Sequence, residues 1–399
     1  MNIFVINSGS SSIKYKLFKM PGAHLICSGV AERIGMDQAG ITHKTFFNGV
    51  ENVFSFKQDI PDYRAGLQKI NQLLTDDKIG VIKAPGDIQV IGHRIVHGGE
   101  KFSRSIRITP EVKQDLKSLF KLAPLHNPPG YRCIEVAEQI FTNATQVAVF
   151  DTAFHQTMPP KAFRFAIPDS FYTDHNIRAY GFHGTSHKYV SEQASSYLKS
   201  KNLKMISIHL GNGCSITSIK DGRSIDTSMG FGPLSGLVMG TRSGDLDPTV
   251  IFYLVETLGY DLQQVSDLLN KQSGLLGLTG FSDTRDITRA LENGDANAKL
   301  AYDIYCYHIK KYIGFYIATL NGLDAIIFTG GVGENNSLVR AMVCSEMEYL
   351  GLEIDQEKNN ALQSGITEIN KQNARVNILV IPTNEELEIA KQCFELLNE

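Results

Sequence analysis

Two stretches of the chain, Ile3-Phe-Val-Ile-Asn-Ser-Gly-Ser-Ser-Ser-Ile-Lys-Tyr-Lys-Leu-Phe18 and Met205-Ile-Ser-Ile-His-Leu-Gly-Asn-Gly-Cys-Ser-Ile-Thr-Ser-Ile219, share one outline: an apolar strand, a turn of small hydrogen-bonding residues, then an alternating strand. A hairpin of this kind in each half of a chain implies two similar lobes, each presenting a Gly/Ser-rich turn. Glycine lets backbone come close to a ligand, and its N–H groups, with Ser and Asn side chains, are neutral donors suited to phosphate oxygens. The pair, with Asn7 and Lys14 flanking the first turn, points to a nucleotide shared by two lobes. Either hairpin alone reads better as an ordinary turn.

With 399 residues, 42% of them hydrophobic, the chain exceeds what one core supports and can build two. Its formal charge of −3 and its scattered Lys and Arg give no basic face, so neither nucleic acid nor an anionic membrane is expected as a partner. Cys27, Cys133, Cys214, Cys306, Cys344 and Cys393 stand apart with no C-x-x-C pair, which argues for reduced thiols and against zinc. The chain begins directly in a strand and has no apolar run of membrane-spanning length, so a cytoplasmic, soluble protein is expected.

Strand signals at residues 25–34 and 41–56 follow the first hairpin, broken by Gly35, Gly40 and Gly49. Helical spacing places Leu67, Ile70, Leu73 and Leu74 on one stripe over 63–74. A strand at 88–91, a helix at 110–119, a Pro-rich loop at 124–129, a helix at 131–141 and a strand at 146–150 continue the alternation. The second half repeats the order: hairpins over 205–227, helices at 248–258, 262–271 and 296–320, strands at 325–329 and 377–381, and a closing helix at 385–397. Such alternation implies mixed sheets flanked by helices, an α/β class, with a boundary near Asp151.

The chemistry-bearing residues fall after strands. In Val149-Phe-Asp-Thr-Ala-Phe-His-Gln-Thr157, Asp151 stands where open α/β sheets put ligands; it could hold Mg²⁺, accept a proton, or merely cap the next turn. Phe328-Thr-Gly-Gly-Val-Gly-Glu-Asn335 runs a strand into a glycine turn before a helix, and no P-loop pattern occurs anywhere. Arg94 in Gly92-His-Arg-Ile-Val-His-Gly-Gly-Glu100 and Arg242 in Met239-Gly-Thr-Arg-Ser-Gly-Asp-Leu-Asp-Pro248 lie in turns rich in glycine. Each offers a charged fork for a carboxylate or a moving phosphoryl group, or a structural ion pair such as Arg242 with Asp245. His93 with His97, and His183 with His187, have an i,i+4 spacing, but the surrounding glycines favour hydrogen-bonding or core roles over a metal, His183 being the exception to watch.

Taken together, Asn7-Ser-Gly-Ser-Ser-Ser-Ile-Lys14, Gly92-His-Arg-Ile-Val-His-Gly-Gly99, Phe150-Asp-Thr-Ala-Phe-His155, Gly181-Phe-His-Gly-Thr-Ser-His187, Gly240-Thr-Arg-Ser-Gly-Asp245 and Thr383-Asn-Glu-Glu386 resemble the acetate kinase family from the first strand to the last helix. The resemblance implies a duplicated, actin-like and ribonuclease H-like fold shared with sugar kinases and heat-shock ATPases. It places residues 1–150 with the closing helix 385–399 in an N-terminal lobe, 151–384 in a nucleotide-binding lobe, and a cleft between them. It also implies a homodimer that moves phosphate reversibly between ATP and acetate with Mg²⁺, for which Mn²⁺ can substitute.

By the same resemblance, Asn7 and Glu385 belong to the Mg²⁺ site, and Lys14, Ser10 and Ser12 lie near the phosphates. Arg94 and Arg242 grip acetate and the transferring group, Asp151 is the catalytic acid, and His126 and His183 contact phosphoryl oxygens. His209, Leu210, Gly211, Asn212 and Gly213, then Asp283, Thr284 and Arg285, then Thr329, Gly330, Gly331, Val332, Gly333 and Asn335 cradle ATP. Val96, Leu125, Phe182 and Pro233 form a small acyl pocket, whose apolar walls separate acetate from propionate only modestly. A carboxylate nucleophile is already ionised at neutral pH, so the residue chemistry itself favours Asp151 as an organiser of Mg²⁺ over a base. Two departures stand out: Gly230-Phe-Gly-Pro-Leu-Ser-Gly236 where the family usually reads Gly-Phe-Thr-Pro-Leu-Glu-Gly, and Ala179 where arginine is common, the latter expected to alter a surface or interface contact. A nucleotide-switched binding or filament protein is the competing class; it gives converging arginines no purpose.

Overall fold

The first hairpin forms because its first strand, residues 2–8, is apolar on both faces, each covered by helix, and its second, residues 12–19, turns Ile13, Tyr15 and Leu17 to one face. In the computed structural model, which describes residues 1–9, 11–47, 49–124 and 126–399, the chain divides into two units, Met1–Phe154 with Asn384–Glu399 and His155–Thr383. The first unit contains β1 (Asn2–Ser8), β2 (Ser12–Lys19), β3 (His24–Glu32), β4 (Gly40–Phe47), β5 (Val50–Lys57), α1 (Tyr63–Leu74), β6 (Val90–Ile95), β7 (Ile106–Arg107), α2 (Pro110–Ser118), α3 (Asn127–Ile140), β8 (Thr145–Phe150) and the C-terminal helix Glu385–Asn398. Its sheet runs β5-β4-β3-β2-β1-β6-β8-β7, with β1, β6 and β8 parallel.

On β1, Phe4 and Ile6 pack with Leu67, Ile70 and Leu74 of α1 and Cys133 and Ala137 of α3. Ile3 and Val5, on the opposite face, pack with Ile389, Ala390 and Cys393 of the C-terminal helix. Full burial of each such Val or Ile is worth roughly 1.5–3 kcal/mol, which is why a central parallel strand reads as an unbroken apolar run. Helix α1 occupies the expected residues; Asp62 caps it by accepting from Ala65 N at 2.8 Å.

Two expectations need correction here. Helix α3 starts at Asn127, four residues before the anticipated start, because Pro128 and Pro129 fall in its first turn, where no backbone N–H is required. Strand β6 extends to Ile95, so Arg94 is a strand residue and not a turn residue. The polar stretch Gly92-His93-Arg94 can stay in a buried strand because His93 Nε2 pairs with Gln146 Oε1 at 2.7 Å.

The second unit begins with α4 (Pro160–Phe163), α5 (Ser170–Thr173) and α6 (Gly184–Tyr197), then β9 (Lys204–Leu210), β10 (Cys214–Lys220) and β11 (Arg223–Thr227). Helices α7 (Thr249–Glu256), α8 (Leu262–Lys271), α9 (Gly274–Thr279), α10 (Thr284–Glu292) and α11 (Ala296–Leu320) lead to β12 (Ala325–Thr329), α12 (Gly330–Asn335), α13 (Ser337–Cys344), α14 (Gln356–Asn360), β13 (Thr367–Glu368) and β14 (Asn377–Val380). The sheet order β11-β10-β9-β12-β14-β13, with β9, β12 and β14 parallel, repeats β3-β2-β1-β6-β8-β7 of the first unit strand for strand. The fold is therefore a duplicated mixed α/β sheet, and the first unit adds β4 and β5 at one edge. The glycine stretch after β12 is itself the helix α12 and not a loop preceding one. No helix among the described residues is long and apolar enough to cross a membrane.

Candidate active site

Asn7, Arg94 and Asp151 in the first unit, and His209 and Thr329 in the second, lie at the carboxyl ends of the parallel strands, where backbone opens and side chains of adjacent strands converge. In the first unit, Asn7 comes from the end of β1, Arg94 from the end of β6 and Asp151 from the residue after β8. Arg94 Nε and Nη2 donate to Asp151 Oδ1 and Oδ2 at 3.2 and 2.5 Å, and its Nη1 donates to Asn7 Oδ1 at 3.2 Å. This two-pronged geometry fixes the plane of the guanidinium. Burial disfavours the Arg94 charge, yet Asp151 and Glu385 outweigh it and hold its pKa above the ordinary value.

Glu385 opens the C-terminal helix, whose cap is Asn384, the acceptor from Leu387 N at 3.3 Å. Burial pushes its pKa up to about 7, Asp151 and Glu386 add to the rise, and Arg94 and Lys14 oppose it. Glu386 pairs with Lys16 at 2.9 Å, and Lys16 also donates to Asn384 Oδ1 at 3.1 Å. Lys14, the cross-strand partner of Asn7, is exposed. Ser12 follows the first turn, where Gly9 N donates to Ser12 O at 2.8 Å. Ser10 and Leu125 lie outside the described residues.

Around Arg94 the backbone is pinned. Buried Asn127 accepts from His97 N at 3.1 Å and donates to His97 O at 2.9 Å, and Thr152 Oγ1 accepts from Gly98 N at 3.0 Å. His126 sits at the N-cap of α3, beside this clamp, and Val96 is half-buried between Ile95 and His97.

The second unit carries its own constellation around the turn Gly211-Asn212-Gly213 between β9 and β10. His183, at the N-cap of α6 with φ 56°, and His209, near the end of β9, stack with ring centroids 4.4 Å apart. A Cβ placed on Gly213 would lie 3.5 Å from His183 Nε2 and 3.8 Å from Arg242 Nη1, so a side chain there would crowd both groups. Arg242 donates to Pro233 O at 3.0 Å and pairs with no carboxylate among the described residues. The anticipated partner Asp245 is engaged by Gly236 N at 2.7 Å and Tyr312 OH at 2.5 Å instead. Burial lowers the Arg242 pKa, which marks an under-compensated cation that gains from an arriving anion. Phe182 is buried, its carbonyl facing His155 Nε2 at 3.0 Å.

A cavity of about 1080 Å³ in the second unit is lined by Gly211, Asn212, Asp283, Thr284, Arg285, Gly331, Val332 and Asn335, together with Thr288, Glu292 and Leu338. Asp283 caps α10 and chelates the exposed Arg285 at 2.5 Å. Thr329 ends β12 with its hydroxyl donating to Ile381 O at 2.7 Å. Gly330 has φ +77°, and a Cβ there would lie 2.7 Å from Leu210 O, so only glycine fits. Two residues the sequence reading missed hold this helix: Glu334 accepts from Gly330 N at 2.9 Å, and fully buried Arg340 donates to the carbonyls of Gly333 and Glu334 at 2.8 and 3.0 Å. The offset of six residues between Glu334 and Arg340 gave no sequence signal for this.

The two departures now have surroundings. Ser235 Oγ accepts from Gly230 N at 2.9 Å and so ties the loop across, and a Cβ on Gly232 would meet nothing within 4 Å. Ala179 is buried in a small cluster with Met158 and Phe163, its N donating to Phe163 O at 2.8 Å, which overturns the expectation of a surface contact. The neighbouring Arg178 occupies that cluster, its guanidinium 3.5 Å over the Phe163 ring.

Mg²⁺ prefers oxygen donors and keeps several waters. Asn7, Asp151 and Glu385 supply an amide and two carboxylates, and the Glu385 pKa, raised first by burial and further by Asp151 and Glu386, marks a carboxylate that gains from an added cation; this donor set fits such an ion. No group of three or more His, Cys, Asp and Glu side chains arranged for a metal occurs among the described residues.

The sequence pattern of the acetokinase family matches residues 2–391. An acetate kinase of Flavobacterium johnsoniae is 54% identical over 397 residues, covering all of both chains. Among solved structures, Porphyromonas gingivalis acetate kinase superposes with a TM-score of 0.92 at 43% identity, over 99% of each chain. A propionate kinase of Francisella tularensis gives 0.91, also at 43% identity and 99% coverage of each.

Proposed function

The chain belongs to the acetokinase family and is a kinase that transfers phosphate to a carboxylate, and from that premise we propose that it converts acetate and ATP reversibly to acetyl phosphate and ADP by direct in-line transfer. The observation that carries this reading is the pair of arginine forks: Arg94, oriented by Asp151 and Asn7, and Arg242, whose partners among the described residues are a carbonyl and a thioether. Both are suited to the oxygens of a moving phosphoryl group, whose transition state needs positioning and positive charge more than covalent help.

Asn7, Asp151 and Glu385 would hold Mg²⁺, which neutralises phosphate charge when bound. Lys14 and Ser12 extend the donor set at the first turn. His183 offers an imidazole edge beside Arg242, His126 offers one at the start of α3, and the Gly211–Gly213 and Gly330–Asn335 backbones donate to ATP, whose nucleoside the cavity along α10 has room for. Val96, Phe182 and Pro233 are proposed to shape the acyl pocket. Six unbridged buried cysteines support a cytoplasmic setting.

The test is acyl hydroxamate trapping with ATP and Mg²⁺ across formate, acetate, propionate and butyrate. Acetate is expected to give the highest kcat/KM, with propionate within about 10- to 200-fold; no hydroxamate from any acid would sink the proposal. In the same assay Gly232→Thr is expected to change the propionate to acetate ratio, while thermal unfolding shows stability unchanged or raised by about 0.4–1 kcal/mol, since the site is roomy and the backbone is not left-handed.

A homodimer is the assembly we propose. Helix α7 buries none of its residues, and Phe252, Tyr253, Leu258 and Leu262 nearby are 54–73% exposed, an apolar concentration typical of covered surfaces. Sedimentation of Phe252→Asp with Leu262→Asp is expected to show a shift from dimer to monomer; an unchanged mass would remove α7 from the interface.

A further inference from the structure

Between α6 and the hairpin β9–β10 lies a buried layer that is polar where apolar side chains would cost nothing to bury. Ser207 and His209 alternate onto one face of β9, and Ser215 and Thr217 are their neighbours across the ladder. Helix α6 contributes Ser186 and His187 to the same layer. Ser207, Ser215, Ser186 and His187 are fully buried.

Within the layer one chain of contacts leads to His183. Ser207 Oγ lies 2.9 Å from His187 Nδ1, His187 Nε2 lies 2.7 Å from Ser215 Oγ, and Ser215 Oγ lies 2.9 Å from His183 Nδ1. Protons could run along it in either direction, but only one direction satisfies every hydroxyl. Among the described residues Ser207 has no acceptor for its hydroxyl other than His187 Nδ1, and a buried donor left without one is costly. Ser207 therefore donates to Nδ1, His187 carries its proton on Nε2 and donates to Ser215, and Ser215 donates to His183 Nδ1. Burial holds the His187 pKa well below its ordinary value, so His187 stays singly protonated and the direction persists. His183 has its Nε2 edge at Gly213, beside Arg242.

We infer that Ser207, His187 and Ser215 are positioning residues that lock neutral His183 as the Nε2–H tautomer, so that it meets a phosphoryl oxygen at the Gly211–Gly213 turn as a hydrogen-bond donor. The inference rests on the functional reading for the identity of that anion, though not for the tautomer. His209 is held in a parallel manner, Ser186 Oγ lying 2.8 Å from its Nδ1 and 2.8 Å from Thr383 Oγ1, with its Nε2 edge at Gly211.

Long-range ¹H–¹⁵N spectra of the full-length protein labelled with ¹⁵N-histidine, with His183 assigned by its loss in His183→Gln, test the lock directly. At neutral pH the wild type is expected to show His183 protonated on Nε2 with an accepting Nδ1. Ser215→Ala is expected to give a mixture of tautomers and to lower kcat for acyl phosphate formation about ten-fold with the KM for ATP within about two-fold. Ser215→Thr, which keeps the hydroxyl, restores both, and Ser207→Ala moves the tautomer population in the same direction as Ser215→Ala. A wild-type His183 protonated on Nδ1, or an unaltered tautomer in the alanine variants, overturns the inference. Should Ser215→Ala fail to fold, the wild-type and Ser207→Ala spectra decide; should the wild type make no acyl phosphate, the functional reading falls while the spectra still decide the lock.

Discussion

Arg94→Ala is expected to lose about 100- to 1,000-fold in kcat for acyl phosphate formation, the scale for removing one preorganised charge donor from a transition state, while the KM for ATP changes only a few-fold. The asymmetry follows from geometry. Arg94 is tied to Asp151 and Asn7 at the strand ends of the first unit, whereas the cavity along α10 that we assign to the nucleoside belongs to the second. Arg94→Lys keeps the charge but cannot reproduce the two-pronged contact, so it should recover only part of the loss. The alanine variant also takes from Asp151, only 1% exposed, the guanidinium that both its carboxylate oxygens accept from. Removing one partner of such a pair costs on the order of 3–5 kcal/mol when both are fully buried; Arg94 is one-fifth exposed, so the loss should be smaller but measurable as a lower Tm. Near-normal hydroxamate yield from Arg94→Ala would remove Arg94 from the reaction, and the same standard applies to Arg242→Ala.

Acid should unfold the first unit at a pH where its carboxylates other than Glu385 are still ionised. His43, His93 and His97 are at most 2% exposed, and burial holds each pKa down to about 4, against an ordinary 6.5. Each therefore contributes stability that is fully present above pH 6.5 and is lost as pH falls toward 4, because the unfolded chain takes up the proton first. Glu385 works in the opposite sense: its folded pKa of about 7 exceeds the unfolded value, so protonation favours the fold over the same window. Three histidines against one glutamate leave about two protons, or roughly 2–3 kcal/mol per pH unit near pH 5.5. Over two units that approaches the whole stability of an ordinary domain. In the second unit, the low pKa of His187 is offset in part by Asp226, pushed up to about 6 by burial. Urea midpoints taken from pH 7 to pH 5 should fall steeply, and His93→Gln should flatten the slope by about one proton. A midpoint independent of pH across that range would show that the three imidazoles are not held neutral.

The elements visible in the sequence are those whose burial is one-sided or capped. Helix α1 shows its apolar stripe and its Asp62 cap, α8 its reciprocal Asp261 and Gln264 cap, and α11 its Asp295 cap, so their limits agree with the expected ones. Strand β6 was cut short because Gly92, His93 and Arg94 carry no strand signal; Gln146 satisfies His93 from the next strand, and that partner is distant in sequence. Helix α6 gave no signal for a related reason, since the face it buries carries Thr185, Ser186, His187 and Ser191 beside only Val190 and Ala194. Among the site residues, those tied to long motifs were legible. Lys16, Ser215, Glu334 and Arg340 were not, because each acts by holding another residue and that relation exists only once the chain is folded.

The C-terminal helix supplies Ile389, Ala390 and Cys393 to the core beneath β1, and Glu385 to the strand ends above it. During synthesis these residues leave the ribosome only after all of His155–Thr383. Until then Ile3 and Val5 lack the helix that covers their face, so that face of the nascent N-terminal half stays open until the last part of the message is read. Arrival of Glu385 near Arg94 and closure of that core are thus a single late event.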